Sequence, residues 1–321
     1  MTSGTTPIHI AFGINDAYAP YISVTIKSIV ENNRGNDIRI HVLTDRISNS
    51  NQRRLADAVE GCKSAKLEIH TVDDSFLNGL KTGVWTIYTW YRVLLPSILP
   101  IEVKKVLYLD ADTLVTTDLR ELFSVDMTEK SIAATVDIQS FDKRAFERCG
   151  YEQHKQYICT GVLLMNLEYW RKNGLAETLV DWANSNSERI MFPDQDAINY
   201  VCRDTKIILP LRFGILNAFF ENDVFYTQRN SSQLRDCIEH PGIIHYAGCY
   251  PWIKIFATHP MNEMYMKYNK MLRHSVVIEW IPRKWLYVKV LLWQLLHPSR
   301  KSKNITLDDV KRRLSEYEYD A

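Results

Sequence analysis

Short strand-like runs and helical runs alternate through the first 250 or so residues of this chain, and this order restricts the fold more than any other feature. A helical pattern at Tyr21 to Glu31 lies between strand-like runs at His9 to Gly13 and Ile38 to Leu43. A β-α-β-α order predicts an α/β fold with a mostly parallel central sheet flanked by helices. Such sheets bind ligands beyond the carboxyl ends of their strands.

The same patterns predict the other elements of this part of the chain. Further strands are expected at Lys66 to Thr71, Lys105 to Leu109, Ser131 to Val136, Gly161 to Asn166, Lys206 to Leu209 and Gly242 to Tyr246. Helices are expected at Ser48 to Glu60, Trp85 to Leu95, Leu175 to Ser185 and Asp194 to Cys202. The Trp85 helix should stop at Pro96, and Asp194 is suited to cap the last helix.

Charge and cysteine content exclude several classes of protein. Lys and Arg number 39 against 38 Asp and Glu, so we expect no nucleic-acid partner. The sequence shows no secretory signal, and no apolar run reaches the roughly 20 residues of a membrane-spanning helix. The six cysteines form no CxxC pair and no disulfide ladder. We therefore expect reduced thiols and a cytoplasmic location.

The character of the chain changes near residue 260, and this predicts two parts, 1–260 and a helical C-terminal extension at 261–321. Residues 281–304 are basic and rich in Trp and Leu. This composition is typical of a helix at the inner face of a membrane, and equally of a last helix packed on the core with its lysines in water. Thr306 and Asp309 form a capping-box pattern that opens a charged helix to about Glu316.

The run VLYLDADTLV places Asp110, Ala111 and Asp112 at the end of a predicted buried strand. Two carboxylates at this spacing hold a divalent cation, act as nucleophile and acid in phosphoryl transfer, or serve as turn residues. A phosphatase of the haloacid dehalogenase type would need its threonine one position after Thr113. The repulsion between the two acids favours the cation.

Several stretches in the same order resemble the retaining glycosyltransferases of family 8, between about Ile8 and Ile253. This family has the GT-A fold and includes bacterial lipopolysaccharide galactosyl- and glucosyltransferases and glycogenin. The stretches are IAFGINDAYAPYISVTIKSI, TWYRVLLPSILP, KVLYLDADTLVTTDL, YICTGVLLMNLEYWR, FPDQDAINYV and IIHYAGCYPW. The resemblance implies a UDP-sugar donor and a bound Mn²⁺ or Mg²⁺, with Asp110, Asp112 and His245 as the metal ligands. Imidazole beside two carboxylates suits Mn²⁺ somewhat better than Mg²⁺.

By the same resemblance, further positions bind the donor. The nucleoside would contact Ala11, Asn15, Asp16 and Tyr18, where Tyr18 could stack on uracil. Arg92 would reach the diphosphate and the sugar, and Asp137 would lie near the sugar hydroxyls. The remaining donor contacts would come from Asp110, Ala111, Asp112, Gly161, Asp194, Gln195 and Gly248. Lys254 lies just beyond the last stretch and could substitute for the family's lysine at the diphosphate.

The resemblance assigns catalysis to Gln195, Asp194 and Arg92, with Gln195 near the anomeric carbon. An amide is a poor nucleophile, so we expect attack on the same face of the sugar that UDP leaves. Three departures from the family pattern stand out: Ala17 and Cys159 replace asparagines, and HYAGCYPW is one residue short with Tyr250 where lysine is usual.

The expected activity is transfer of glucose or galactose from UDP to a glycan, such as lipopolysaccharide or another cell-envelope carrier. Two alternatives stay open. A glycogenin-like protein would glucosylate its own tyrosines, for which Tyr317 and Tyr319 are candidates. A non-catalytic UDP-sugar or glycan binder would agree with the three departures.

Overall fold

A computed structural model describes residues 6–227, 230–280, 292, 295 and 305–319. Within these ranges the strands are β1 (Ile8–Gly13), β2 (Ile38–Thr44), β3 (Ala65–Thr71), β4 (Lys105–Leu109), β5 (Thr113–Val115), β6 (Ile132–Ala134), β7 (Val162–Asn166), β8 (Lys206–Ile208), β9 (Ile215–Leu216) and β10 (Ile243–His245). The α-helices are α1 (Ala19–Asn32), α2 (Asn49–Val59), α3 (Leu95–Ile98), α4 (Arg120–Phe123), α5 (Lys143–Cys149), α6 (Leu167–Asn173), α7 (Leu175–Ser185), α8 (Pro193–Val201), α9 (Asn217–Glu221), α10 (Ser231–Glu239), α11 (Asn262–Asn269) and α12 (Leu307–Tyr319).

The central sheet has seven strands in the order β3-β2-β1-β4-β7-β6-β8. β1 pairs in parallel with β2 and β4, β2 with β3, and β6 with β8. Among the described strands of this sheet, only β7 runs antiparallel to its neighbours, β4 and β6. The mostly parallel sheet expected from the order of the elements is therefore confirmed.

A smaller sheet, which the sequence patterns did not indicate, lies beside the central one. It has the order β5-β10-β9. β10 runs antiparallel to β5 and parallel to β9. Only β10 was expected as a strand. Each of these strands has two or three residues, too few for a period of two to be visible in the sequence.

Apolar side chains cover both faces of the central sheet. Along β4, Leu107 and Leu109 lie in the core cluster that includes residues of α1 and α2, whereas Val106 and Tyr108 lie in the cluster with residues of α6 to α8. This alternation follows from the two-residue period of a strand. Burial of each aliphatic side chain contributes about 1.5–3 kcal/mol, so β4 is held firmly from both sides.

The segment expected as a helix from Trp85 to Leu95 is a 3₁₀ helix at Ile87–Leu94, and it continues into α3 past Pro96. Pro96 does not stop this segment because it occupies the first turn of α3, where its missing N–H has no partner to lose. The expected cap at Asp194 is also wrong: Phe192 is the N-cap of α8, and Asp194 lies inside its first turn. There its carboxylate faces Arg92.

The described residues after 260 pack onto the rest of the chain. Tyr265 of α11 and Val310 of α12 are fully buried in the cluster that contains α1. The capping box is confirmed: Asp309 N–H donates to Thr306 Oγ1 and Thr306 N–H to Asp309 Oδ2, each at 3.1 Å. The division of the chain at residue 260 stays a prediction.

The basic segment 281–304 lies outside the described residues except for Leu292 and Leu295. Both are helical positions with exposed side chains. Within the described part of the chain, no helix combines the length and apolar character needed to cross a bilayer.

Candidate active site

Asp110 and Asp112 lie in the turn that leaves the central sheet and enters the small one. β4 ends at Leu109 and β5 begins at Thr113. The Asp110 N–H donates to the Gly161 carbonyl at 2.8 Å, and Thr113 Oγ1 donates to the Asp110 carbonyl at 2.8 Å. These hydrogen bonds hold the backbone of the turn in place, and both carboxylates face His245.

The small sheet carries His245 to this turn. His245 pairs with Thr113 in the ladder of β10 and β5, and the Tyr246 N–H donates to the Asp112 carbonyl at 2.8 Å. His245 Nε2 lies 3.2 Å from Asp112 Oδ1 and 3.9 Å from Asp110 Oδ2. The structure thus brings together the three residues that the resemblance implies as metal ligands.

The electrostatics of this triad favour a cation. Burial alone would lower the pKa of His245, but the Asp112 carboxylate and the Cys159 sulfur outweigh burial and hold the pKa well above its usual value. In the free protein a proton therefore neutralises part of the negative charge. Two carboxylate oxygens and one imidazole nitrogen, all within 4.8 Å of one another, form a donor set that suits Mn²⁺ or Mg²⁺.

Gly161 lies directly against the triad. A Cβ atom at this position would be 2.1 Å from His245 Cε1 and 2.7 Å from Asp110 Oδ2. Real side chains do not approach so closely, so glycine is needed here for space. Gly161 therefore forms part of the wall of the site because it has no side chain that would displace His245 or Asp110.

Arg92 is buried behind Asp110. Its Nη2 donates to Asp110 Oδ1 at 2.7 Å, and its Nε lies 3.2 Å from Asp194 Oδ2. Nη1 donates to the Thr160 carbonyl, and the guanidinium carbon lies 4.1 Å from the centroid of the Tyr108 ring. Burial would lower the pKa of Arg92, but Asp110 and Asp194 raise it above its usual value. The side chain is a permanent charge that joins Asp110 to Asp194 at the start of α8.

Thr160 links the residues expected at the sugar. Its N–H donates to Gln195 Oε1 at 3.0 Å, and its hydroxyl lies 3.3 Å from Asp194 Oδ2. Gln195 Nε2 lies 3.5 Å from Asp137 Oδ2. Asp194, Gln195 and Asp137 therefore form one connected group with Arg92. Together with Asp110 and Asp112, the site contains four carboxylates.

The loop after β1 borders a cavity of about 530 Å³, lined by Asn15, Asp16, Ala17, Pro20, Asp45, Arg46, Asn51 and Tyr88. The side-chain oxygen of Asn15 is buried and has no hydrogen-bond partner in the structure. Asp16 instead accepts from the Ser48 N–H and from Asn51 Nδ2, each at 2.8 Å. Asn15 thus borders the cavity with an oxygen that has no partner among the described residues, whereas Asp16 joins this loop to the first turn of α2.

The other positions expected at the nucleoside differ in exposure. Ala11 is fully buried within β1, so its side chain contributes only packing. Ala111 is half-buried against the core. Tyr18 is also half-buried, with its ring 5.7 Å from that of Tyr21 in an edge arrangement. Burial raises the pKa of Tyr18, and the Asp112 carboxylate adds to this shift.

The shortened segment after β10 forms a tight turn. Gly248 has a φ of +74°, a conformation that glycine adopts without strain. Trp252 is buried and stacks on Tyr21 with ring centroids 4.1 Å apart. Lys254 is exposed, and its ammonium group lies 3.6 Å from the centroid of the Trp280 ring. The contact of Lys254 with a diphosphate stays a prediction.

Three contributors to the site were not singled out from the sequence: Thr160, Tyr108 and the aromatic pair of Tyr21 and Trp252. Thr160 lies between Cys159 and Gly161, and Tyr108 precedes Asp110 on β4, so both belonged to stretches already examined. No local pattern shows that the Thr160 carbonyl and the Tyr108 ring surround Arg92.

A sequence model of the family described as glycosyl transferase family 8 matches residues 9–255. The lipopolysaccharide 1,2-glucosyltransferase of Escherichia coli is 25% identical over 250 residues, which are 76% of this chain and 73% of that protein. The lipopolysaccharide 1,3-galactosyltransferase of Salmonella typhimurium strain LT2 is 24% identical over 291 residues, covering 86% and 82% of the two chains.

Comparison with solved structures shows the same fold. The galactosyltransferase LgtC in complex with donor and acceptor sugar analogs superposes with a TM-score of 0.72, at 24% identity, over 88% of this chain and 100% of that chain. This similarity confirms the GT-A architecture expected from the resemblance, with its mostly parallel sheet and flanking helices.

Proposed function

The chain belongs to glycosyl transferase family 8, and from this premise we propose that it transfers glucose or galactose from a UDP-sugar to a glycan, with retention of configuration and a divalent cation. The observation that carries the proposal is the triad of Asp110, Asp112 and His245 at the end of β4, with Arg92 directly behind it. The buried positive charge and the convergent ligands suit a site for a metal-bound diphosphate.

In this proposal each residue has a separate task. Asp110, Asp112 and His245 would hold Mn²⁺ or Mg²⁺, which when bound supplies a Lewis acid that offsets the charge on the departing UDP. Arg92 pairs with Asp110 and orients its carboxylate. Asp194 would bind sugar hydroxyls, while the Asn15 oxygen is an acceptor for the nucleoside. Gly161 leaves room for the His245 ring beside the carboxylates.

The group at the sugar supports attack from the side that UDP leaves. Gln195 is the residue expected at the anomeric carbon. Its carbonyl oxygen accepts from the Thr160 N–H at 3.0 Å and lies 3.4 Å from the Thr160 hydroxyl, and these contacts orient an oxygen that could stabilise positive charge there. The bond from the anomeric carbon to UDP would break to give a short-lived oxocarbenium-like ion pair, and the acceptor oxygen would then bond to that carbon from the same face. The acceptor proton passes to the departing phosphate oxygen. A trapped covalent sugar adduct on Asp194 would contradict this route.

The test of the activity is UDP release from a panel of UDP-sugars with Mn²⁺, Mg²⁺ or EDTA. We expect slow hydrolysis of one UDP-hexose, which is lost with EDTA and in Asp112→Ala. The exposed Asp126, whose carboxylate caps Thr128, provides a matched control as Asp126→Ala. Release that persists in EDTA would contradict the metal-dependent proposal.

Two further measurements separate the alternatives. Mass added to the purified protein after incubation with UDP-glucose would favour self-glucosylation, for which Tyr317 and Tyr319 at the end of α12 are the candidate acceptors. Tight UDP-sugar binding by calorimetry, without turnover in the presence of any glycan, would favour a non-catalytic binder.

The acceptor that we propose is a glycan on a lipid or cell-envelope carrier. The printed activities of the relatives support this choice, since both named proteins act on lipopolysaccharide. The basic Trp- and Leu-rich composition of 281–304 supports a contact with an anionic membrane surface. Co-sedimentation with anionic but not with neutral vesicles tests that contact, and equal pelleting with both would contradict it.

A further inference from the structure

Three histidines and a glutamate lie together on one face of the central sheet, away from the triad. His9 is on β1, His41 on β2, and Glu68 and His70 on β3. In the parallel register His41 pairs with Glu68. Glu68 and His70 are two residues apart, so their side chains leave the strand on the same face. β3 is the edge strand of the sheet, and the cluster therefore opens toward solvent there.

The distances within this group match a metal site. His41 Nδ1 lies 3.0 Å from His70 Nε2 and 3.5 Å from Glu68 Oε2, and the last two atoms are 4.0 Å apart. Nitrogen and oxygen ligands placed 2.0–2.2 Å from Zn²⁺ in a tetrahedron lie about 3.3–3.6 Å from one another. Shifts of a few tenths of an ångström would thus bring the three atoms around one ion.

His9 completes the arrangement from the other side. Its Nδ1 lies 3.0 Å from His41 Nε2, and the two rings are stacked with an interplanar angle of 4°. A histidine that binds metal through one ring nitrogen usually donates from the other, which sets the tautomer. His41 would donate from Nε2 to His9 and leave the Nδ1 lone pair for the ion.

The protonation of the imidazoles agrees with this role. Burial, followed by the neighbouring His9 and His70, lowers the pKa of His41 to about 3. Burial also lowers the pKa of His70, against the opposing effect of Glu68. Burial therefore disfavours the charged form of both rings. The nearby Arg39 is paired with Asp37 at 2.9 Å, which reduces its repulsion of a cation.

We propose that His41, Glu68 and His70 form a second metal site, for which Zn²⁺ is the best match. Two imidazoles and one carboxylate favour Zn²⁺ over Mg²⁺ or Ca²⁺, which prefer oxygen ligands. Three protein ligands leave a fourth position for water. The site shares no residue with the Asp110–Asp112–His245 triad, and a bound ion would tie the edge strand β3 to β2.

The test measures binding of Zn²⁺ alone to the full chain by equilibrium dialysis with metal analysis. Asp112→Ala serves as the background because it weakens the other site. We expect one Zn²⁺ per chain, with affinity reduced roughly 100-fold by a further His70→Ala and about tenfold by Glu68→Gln. Lys66→Ala, which removes an exposed side chain of the same strand, should leave affinity unchanged.

Two readouts make the result decisive. Saturating Zn²⁺ should raise the Tm of the Asp112→Ala chain by roughly 5 °C, and His70→Ala should abolish this shift without changing the metal-free Tm by a comparable amount. Co²⁺ in the same chain should give the visible absorption of a tetrahedral site. Equal Zn²⁺ affinity with and without His70, or no stoichiometric binding at all, would mean that the rings form a hydrogen-bonded row only and would overturn the proposal.

Discussion

The Arg92 guanidinium donates to the Asp110 carboxylate at 2.7 Å, and its side chain is only 1% exposed. The same guanidinium lies 3.2 Å from Asp194 Oδ2. A single buried cation therefore joins a residue proposed to bind metal to a residue proposed to bind sugar. In the free protein, this pairing orients both carboxylates before any ligand arrives.

Substitution of Arg92 should destabilise the fold and the site together. Arg92→Met leaves Asp110 and Asp194 without their cation, which should lower the free energy of unfolding by about 3 kcal/mol. We expect Mn²⁺ affinity to change as well, because Asp110 loses its orientation. Arg92→Lys keeps the charge and should show a smaller loss of stability. Urea unfolding and calorimetry measure both quantities.

Arg144→Met is the matched control for this experiment. Arg144 also pairs with an aspartate, Asp142 at 2.9 Å, but its side chain is 84% exposed. Exposed pairs contribute little to stability because water and salt screen them. If the two methionine variants lost equal stability, burial of the Arg92 pair would not be the cause.

Gly161→Ala should remove metal binding while the fold persists. The added Cβ would lie 2.1 Å from His245 Cε1, so the imidazole has to leave its place beside Asp110. We expect Mn²⁺ affinity to fall by at least about tenfold, with a stability loss of roughly 1–3 kcal/mol. Gly35→Ala is the control, because a Cβ there meets nothing within 4 Å. Unchanged Mn²⁺ affinity in Gly161→Ala would contradict the assigned position of His245.

Metal affinity should rise with pH. Asp112 and Cys159 hold the pKa of His245 well above its usual value in the free protein, against the effect of burial. Below that pKa the imidazolium must lose its proton before Nε2 can bind an ion, so affinity should increase by about tenfold per pH unit and then level off. Calorimetry in buffers of different ionisation enthalpy should detect one proton released. His245→Gln should flatten the dependence, and a flat profile for the unmodified chain would refute this view of the site.

Cys159 should support His245 rather than act as a nucleophile. Its Sγ lies 3.5 Å from His245 Nδ1, and burial raises the pKa of the thiol. When Nε2 binds a metal, Nδ1 carries the proton and donates to the sulfur. Cys159→Ala should reduce Mn²⁺ affinity about tenfold, and Cys159→Ser should retain it because the hydroxyl oxygen also accepts. Cys237→Ala, at another buried cysteine in α10, should leave affinity unchanged.

Some features of this protein follow from local sequence alone. The apolar run Lys105 to Leu109 predicts β4, because a strand buried on both faces needs apolar side chains in both directions. The two acids that follow it mark the end of that strand. The capping box at Thr306 and Asp309 is equally local, since its groups are three residues apart and bond within one turn.

Tertiary structure decides which distant residues meet at the site. His245 reaches Asp112 only because the short strands β5 and β10 pair, and strands of three residues are stabilised by their surroundings rather than by a pattern of their own. Arg92 lies in a 3₁₀ helix whose burial depends on the sheet beneath it, and the row of His9, His41 and His70 exists only in the register of three parallel strands. Local residue types determine which helix or strand each segment can form. Long-range strand pairing and packing decide which distant side chains come into contact at one site.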